Sequence, residues 1–134
     1  MNWILENNIN TDLITPGRFN ITTDANELAK IAFIEHRPEF AKKVQKGDFI
    51  VAGNNFGCGS SRETAVTALK ACGIKAIVAK SFARIFYRNC IDQGLLAIIA
   101  NTENISPDDK IQIDIEKQLI INVSDVNDEF GKSY

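Results

Sequence analysis

Residues 49–63 read Phe49-Ile50-Val51-Ala52-Gly53-Asn54-Asn55-Phe56-Gly57-Cys58-Gly59-Ser60-Ser61-Arg62-Glu63. Four consecutive apolar residues bounded by glycine predict a strand buried on both faces, as in a parallel sheet. A loop with three glycines follows and opens a helix over about Arg62–Cys72, with Ala65, Ala68, Leu69 and Cys72 at helical spacing and Gly73 as its stop. Ile74–Ala79 repeats the apolar strand pattern. Ser81 is positioned to cap a helix through Phe82, Ile85 and Phe86, Gly94 ends it, and Leu95–Ile99 is a third apolar run. The order strand, loop, helix, strand, helix, strand implies right-handed crossovers and a parallel core.

Outward from this centre the signals weaken. The first 23 residues read as irregular, with a short strand near Trp3–Leu5 and turn chemistry at Asn10-Thr11-Asp12 and Thr15-Pro16-Gly17. Asp24 is a candidate cap for a helix over 25–34, and Pro38 for the start of a short helix through Phe40 and Val44. Near the end, Ile111, Ile113 and Ile115 alternate with polar residues and Leu119-Ile120-Ile121 follows a short turn, which predicts an antiparallel hairpin. No repeat or linker interrupts the chain, so residues 1–134 are expected to form one α/β domain with a mixed, barrel-like sheet and flanking helices.

Bulk properties narrow the function. The chain has 134 residues, 45% hydrophobic and 24% charged, with a net charge of −2. No basic run suggests a nucleic-acid surface. No apolar run approaches the roughly 20 residues of a membrane span. Met1-Asn2-Trp3-Ile4-Leu5-Glu6 does not resemble a signal peptide, so a cytoplasmic location is expected. Cys58, Cys72 and Cys90 are odd in number and scattered. They predict reduced thiols, and neither a disulfide framework nor a metal or iron–sulfur site held by this chain alone.

The glycine loop holds the candidate chemistry. Glycines let backbone N–H groups converge and a ligand approach closely. The helix N-terminus favours an anion, Arg62 supplies a planar cationic fork, and Ser60 and Ser61 supply hydroxyls. A second reading stands beside this one: Ser60-Ser61-Arg62-Glu63 also fits a capping box, in which Ser60 merely caps the helix. The segment has no lysine after its glycines and is no P-loop, nor is it G-x-S-x-G. His36 is the only histidine and lies in the charged stretch Glu35-His36-Arg37, where a solvated surface position is expected. A Ser-His-Asp relay therefore cannot be assembled near the loop, and the remaining acid–base and metal groups would have to come from another chain.

Residues 55–63 resemble the signature of the aconitase swivelling domain, in particular its stand-alone form, the small subunits of 3-isopropylmalate dehydratase type and their homoaconitase relatives. Three further segments, 10–19, 46–53 and 81–89, resemble the same family in the same order, and the likeness covers roughly residues 7–125. It implies a swivelling β/β/α fold and a large partner subunit carrying a [4Fe–4S] cluster, with no cofactor or metal on this chain. The implied reaction is the reversible dehydration of a small hydroxy-carboxylic acid. By position in the motifs, the resemblance implies that Ser60 is the proton-abstracting serine and that Arg62 binds substrate or activates that serine. Asp12 is implied as a catalytic or supporting carboxylate and Arg18 as a carboxylate ligand, with Ser61 beside them.

The chain departs from the family's pattern in three places. Thr64 stands where the family usually has His. Phe19-Asn20 replaces a Tyr-Leu pair, and the selecting loop after it, Asn20-Ile21-Thr22-Thr23, carries no cation. The C-terminus is short, and the terminal helix of longer relatives is expected to be absent. An apolar substituent would suit Ile21, which favours an alkyl-substituted malate such as 3-isopropylmalate, with homoaconitate and a dimethylmalate as alternatives. A non-catalytic anion-binding module is the competing class. A regulatory RNA-binding role is disfavoured by the slightly acidic composition.

Overall fold

In the computed structural model the described residues are 1–19, 22–60, 62–114, 119–122 and 132–133. The apolar runs form a four-stranded, wholly parallel sheet of β1 (Asn2–Ile4), β2 (Phe49–Ala52), β3 (Ala76–Ala79) and β4 (Leu96–Ile99), in the order β1-β2-β3-β4. Pairing is in direct register, with Ile50 opposite both Trp3 and Ile77, and Val78 opposite Ile98. Alternation sends every second side chain to one face. Ile50, Ala52, Ile77 and Ala79 join the larger core under the helices, while Phe49, Val51, Ala76, Val78 and Ile98 face a second core that includes Ile111. Burial on both faces is why these strands read as unbroken apolar runs.

The helices are α1 (Thr11–Ile14), a 3₁₀ turn over Gly17–Phe19, α2 (Ala25–Ile31), α3 (Phe40–Lys43), α4 (Glu63–Ala71) and α5 (Arg84–Gln93). Asp24 caps α2, accepting from the backbone N–H groups of Asn26 and Glu27. That helix stops at Ile31 instead of residue 34, and Phe33 turns to φ 55° with its ring fully buried. Packing of Phe33 against Phe40, ring centroids 4.9 Å apart, outweighs continued helix. The helices α4 and α5 lie together, and Gln93 ties them by donating to the Glu63 carbonyl and contacting the Thr67 hydroxyl.

The hairpin forms as expected, β5 (Ile111–Asp114) pairing antiparallel with β6 (Leu119–Asn122), and β7 (Lys132–Ser133) adds to β6. These strands make a sheet of their own, so the antiparallel strands do not enter the parallel sheet as a mixed one. The layers run helices, parallel sheet, antiparallel strands. No helix among the described residues is long and apolar enough to cross a membrane.

The N-terminal segment is anchored by the residue that precedes β2. Asp48, only 5% exposed, accepts from the Trp3 indole N–H, the Gln45 backbone N–H and the terminal amine of Met1. Burial alone would raise its carboxyl, but these donors together hold it below the ordinary aspartate range.

Candidate functional site

The glycine loop lies between two segments of chain and is bound to both by backbone hydrogen bonds. On one side Gly57 N–H donates to the Ile9 carbonyl at 2.7 Å, and Thr11 N–H donates to the Cys58 carbonyl at 2.8 Å. On the other, Phe56 N–H donates to Ser81 and Ala83 N–H donates to Phe56. The bridges Asn10↔Cys58 and Phe56↔Phe82 are both parallel, so the loop continues the β1-β2-β3 pairing beyond the strand ends.

Close packing explains two of the glycines. Gly57 has φ +83° and a Cβ there would meet the Phe86 ring at 2.1 Å. Gly59 has φ +92° and would meet the Asn10 side chain at 2.6 Å. Larger residues at either position would push the loop away from both neighbours.

Ser60 does not cap the helix. The cap position of α4 is Arg62, two residues later than a capping box on Ser60 requires, and the Arg62 side chain makes no cap bond. The Ser60 backbone is fixed instead, its carbonyl accepting from the Thr11 hydroxyl at 2.7 Å, while the residue itself is exposed. Ser81 also departs from its expected role. Ala83 is the cap position of α5, again without a side-chain cap, and the Ser81 hydroxyl accepts from the Asn55 N–H at 2.7 Å, closing the loop.

Arg62 is drawn toward the N-terminal turn. Its Nη1 lies 3.2 Å from Asp12 Oδ1 and donates to the Thr15 carbonyl at 3.2 Å. Asp12 is itself held by the Gly17 N–H at 2.9 Å, and its backbone N–H donates to Asn10, which caps α1. The turn read from Asn10-Thr11-Asp12 is thus a capped helical turn that presents a carboxylate to Arg62.

A cavity of about 330 Å³ opens here, lined by Ser60, Arg62, Thr11, Arg84, Asn89 and Phe86 among others. It lies at the start of both α4 and α5. The structure therefore brings Ser60 and Arg62 into one cleft, with Asp12 behind Arg62. Arg18 does not line the cleft: it is paired with Glu35 and stacks over Phe19 at 4.8 Å. Ser61 and Ile21 lie outside the described residues. Sequence reasoning assigned no role to Arg84 or Asn89, although both fall in the segment 81–89 whose pattern it had singled out.

His36 is not a free surface residue. It pairs with Glu6 at 2.8 Å and packs beside Phe33, away from the cleft lining. Among the described residues no three His, Cys, Asp or Glu side chains gather as metal ligands. Burial pushes the Cys72 thiol up to about 11 and the Cys90 thiol up to about 12, so both stay protonated at neutral pH and are poor thiolate ligands. Among the described residues, these thiols do not fit an iron–sulfur cluster.

Comparison with known proteins gives the family. A family profile described as the aconitase C-terminal domain matches residues 2–103. The chain is 57% identical over 113 residues to the methanogen homoaconitase small subunit of Methanocaldococcus jannaschii, covering 84% of this chain and 66% of that protein. It is 51% identical over 121 residues to 3-isopropylmalate dehydratase small subunit 1 of Archaeoglobus fulgidus, covering 90% of this chain and 75% of that protein. The crystal structure of a 3-isopropylmalate dehydratase (LeuD) from Methanocaldococcus jannaschii superposes with a TM-score of 0.88 at 52% identity, covering 92% of this chain and 74% of that one. The chain thus spans from just under two thirds to about three quarters of these relatives' length.

Proposed function

Because the chain belongs to the aconitase C-terminal domain family, we propose that it is the small subunit of a hydro-lyase of 3-isopropylmalate dehydratase type, working with a large subunit that carries the [4Fe–4S] cluster. Residues 1–134 act as one unit in the cytoplasm, with neither nucleic acid nor membrane as partner. One observation carries the reading: Ser60 and Arg62 line a single cleft at the start of two helices.

In this reading Ser60 takes the substrate's α-proton. A serine serves as base only where negative charge on its oxygen is stabilised, and the cleft offers Arg62 and the positive ends of α4 and α5 for that purpose. Arg62 also binds a substrate carboxylate, while Asp12 and the Thr15 carbonyl fix the direction of its fork. Ser61 and Arg18 are proposed as further carboxylate contacts, Arg18 after release from Glu35. When bound on the large subunit, the cluster supplies Lewis acidity toward the leaving hydroxyl. The uncharged loop 20–23 supports an alkyl-substituted malate as substrate. A second reading, homoaconitase small subunit, has the 57% identity to the methanogen protein in its favour.

Anaerobic reconstitution with the large subunit, followed by a panel of hydroxy acids, tests this. Formation of the unsaturated product from 3-isopropylmalate only when both subunits are present is expected. A complex that dehydrates none of the panel would contradict the reading.

A further inference from the structure

The helix α5 runs from the cleft outward with one face uncovered. Phe86 and Cys90 are buried against the core, at 2% and 0% exposure. Arg84, Ile85, Arg88, Ile91 and Asp92 are all exposed, and at 100° per residue they occupy a single stripe of about 120°. An exposed helix face ordinarily carries polar residues, yet this one holds Ile85 at 55% and Ile91 at 62% exposure. They are two of the four large hydrophobic side chains that stand exposed among the described residues. Ile85 also lines the cleft with Ser60 and Arg62. From there the stripe extends roughly 9 Å along the helix to Ile91, six residues on.

We propose that this face of α5 is the docking surface for the large, cluster-bearing subunit; the inference rests on the functional reading above. The cleft requires it. Whatever brings a cluster to a substrate held by Ser60 and Arg62 must close over the cleft mouth, and Ile85 is part of that mouth. A surface that covers Ile85 and continues along α5 buries Ile91 as well. The occupant's chemistry follows from the stripe: an apolar strip to take the two isoleucines, with carboxylates placed for Arg84 and Arg88 and a cation for Asp92. The exposed isoleucines then have a purpose in the assembled enzyme that they lack in the separate chain.

Ile91 lies outside the residues lining the cleft, so Ile91→Asp separates docking from chemistry. Sedimentation or titration calorimetry with the purified large subunit should show association weakened by about tenfold or more. With the large subunit in saturating excess kcat should stay near wild type, and the variant alone should melt as wild type does. Should the aspartate lower the melting temperature, Ile91→Ser is measured in its place. Equal affinity of variant and wild type overturns the docking face while leaving the function intact. So does a wild-type chain that self-associates through this stripe, seen as dimerisation that Ile91→Asp abolishes. A wild-type chain that binds no large subunit overturns the functional reading, and this inference with it.

Discussion

At the scale of residues, the contact between Asp12 and Arg62 decides what Asp12 does. The carboxylate is occupied by the Arg62 guanidinium and the Gly17 N–H, which suits a positioning group better than a proton carrier. Asp12→Asn keeps an acceptor for Gly17 but removes the charge that holds Arg62. As the pair is partly exposed, a rise in KM of up to about fivefold with little change in kcat is expected, the effect of a surface pair worth up to ~1 kcal/mol. A fall in kcat of about a hundredfold or more at unchanged KM would instead mark Asp12 as the base. Substrate choice is tested at Ile21. Because residues 20–23 bring no cation, Ile21→Arg should shift relative kcat/KM from the alkyl malate toward homoaconitate, read by competition between the two acids. Unchanged selectivity would show that this loop does not select.

The element scale shows what a linear sequence can and cannot convey. Apolar runs at 49–52 and 76–79 announced strands because both their faces are buried, Asp24 marked a helix start through its carboxylate, and Gly94 marked a helix end through its left-handed backbone. Ser60 and Ser81 misled as caps because the serine pattern is local, whereas their actual partners, Thr11 and Asn55, come from distant chain. The same holds for the site. Ser60 and Arg62 were legible in one loop, but the hold of Asp12 on Arg62 spans 50 residues, Arg18 turns to Glu35, and Arg84 and Asn89 join the cleft only through the packing of α5. The packing of the loop on α5 gives a stability test. Gly57→Ala forces a Cβ into Phe86 at a left-handed φ and should cost roughly 2–5 kcal/mol. Gly47→Ala, at φ +95° with nothing within 4 Å, should cost only the backbone strain, about 1–2 kcal/mol. Equal losses in denaturant titration would mean that the Phe86 contact does not constrain the loop. Just before β2, Asp48 ties that strand to β1 through Trp3. Its carboxyl titrates lower folded than unfolded, so its contribution is complete above the unfolded aspartate pKa and disappears as pH falls through the folded value. Asp48→Asn should cost about 2 kcal/mol at neutral pH and flatten the acid limb of a melting-temperature profile; a parallel acid limb in both proteins would exclude this role.

On the proposed function, the whole molecule supplies half of an active site. Its helices and parallel sheet hold a serine, an arginine and the starts of two helices around one cleft, and its cysteines do not assemble into a cluster site. The account therefore requires that a small number of groups on this chain perform chemistry on a substrate whose leaving hydroxyl is handled by the partner. Ser60 is the sharpest point of that claim, because the structure removes its alternative role as a helix cap. The direct measurement is kcat of the complex reconstituted with Ser60→Ala, alongside its affinity for the large subunit and its melting temperature. The account predicts turnover reduced by ~10²–10⁴-fold, with assembly and melting unchanged. A Ser60→Ala complex that retains most of its turnover would contradict it.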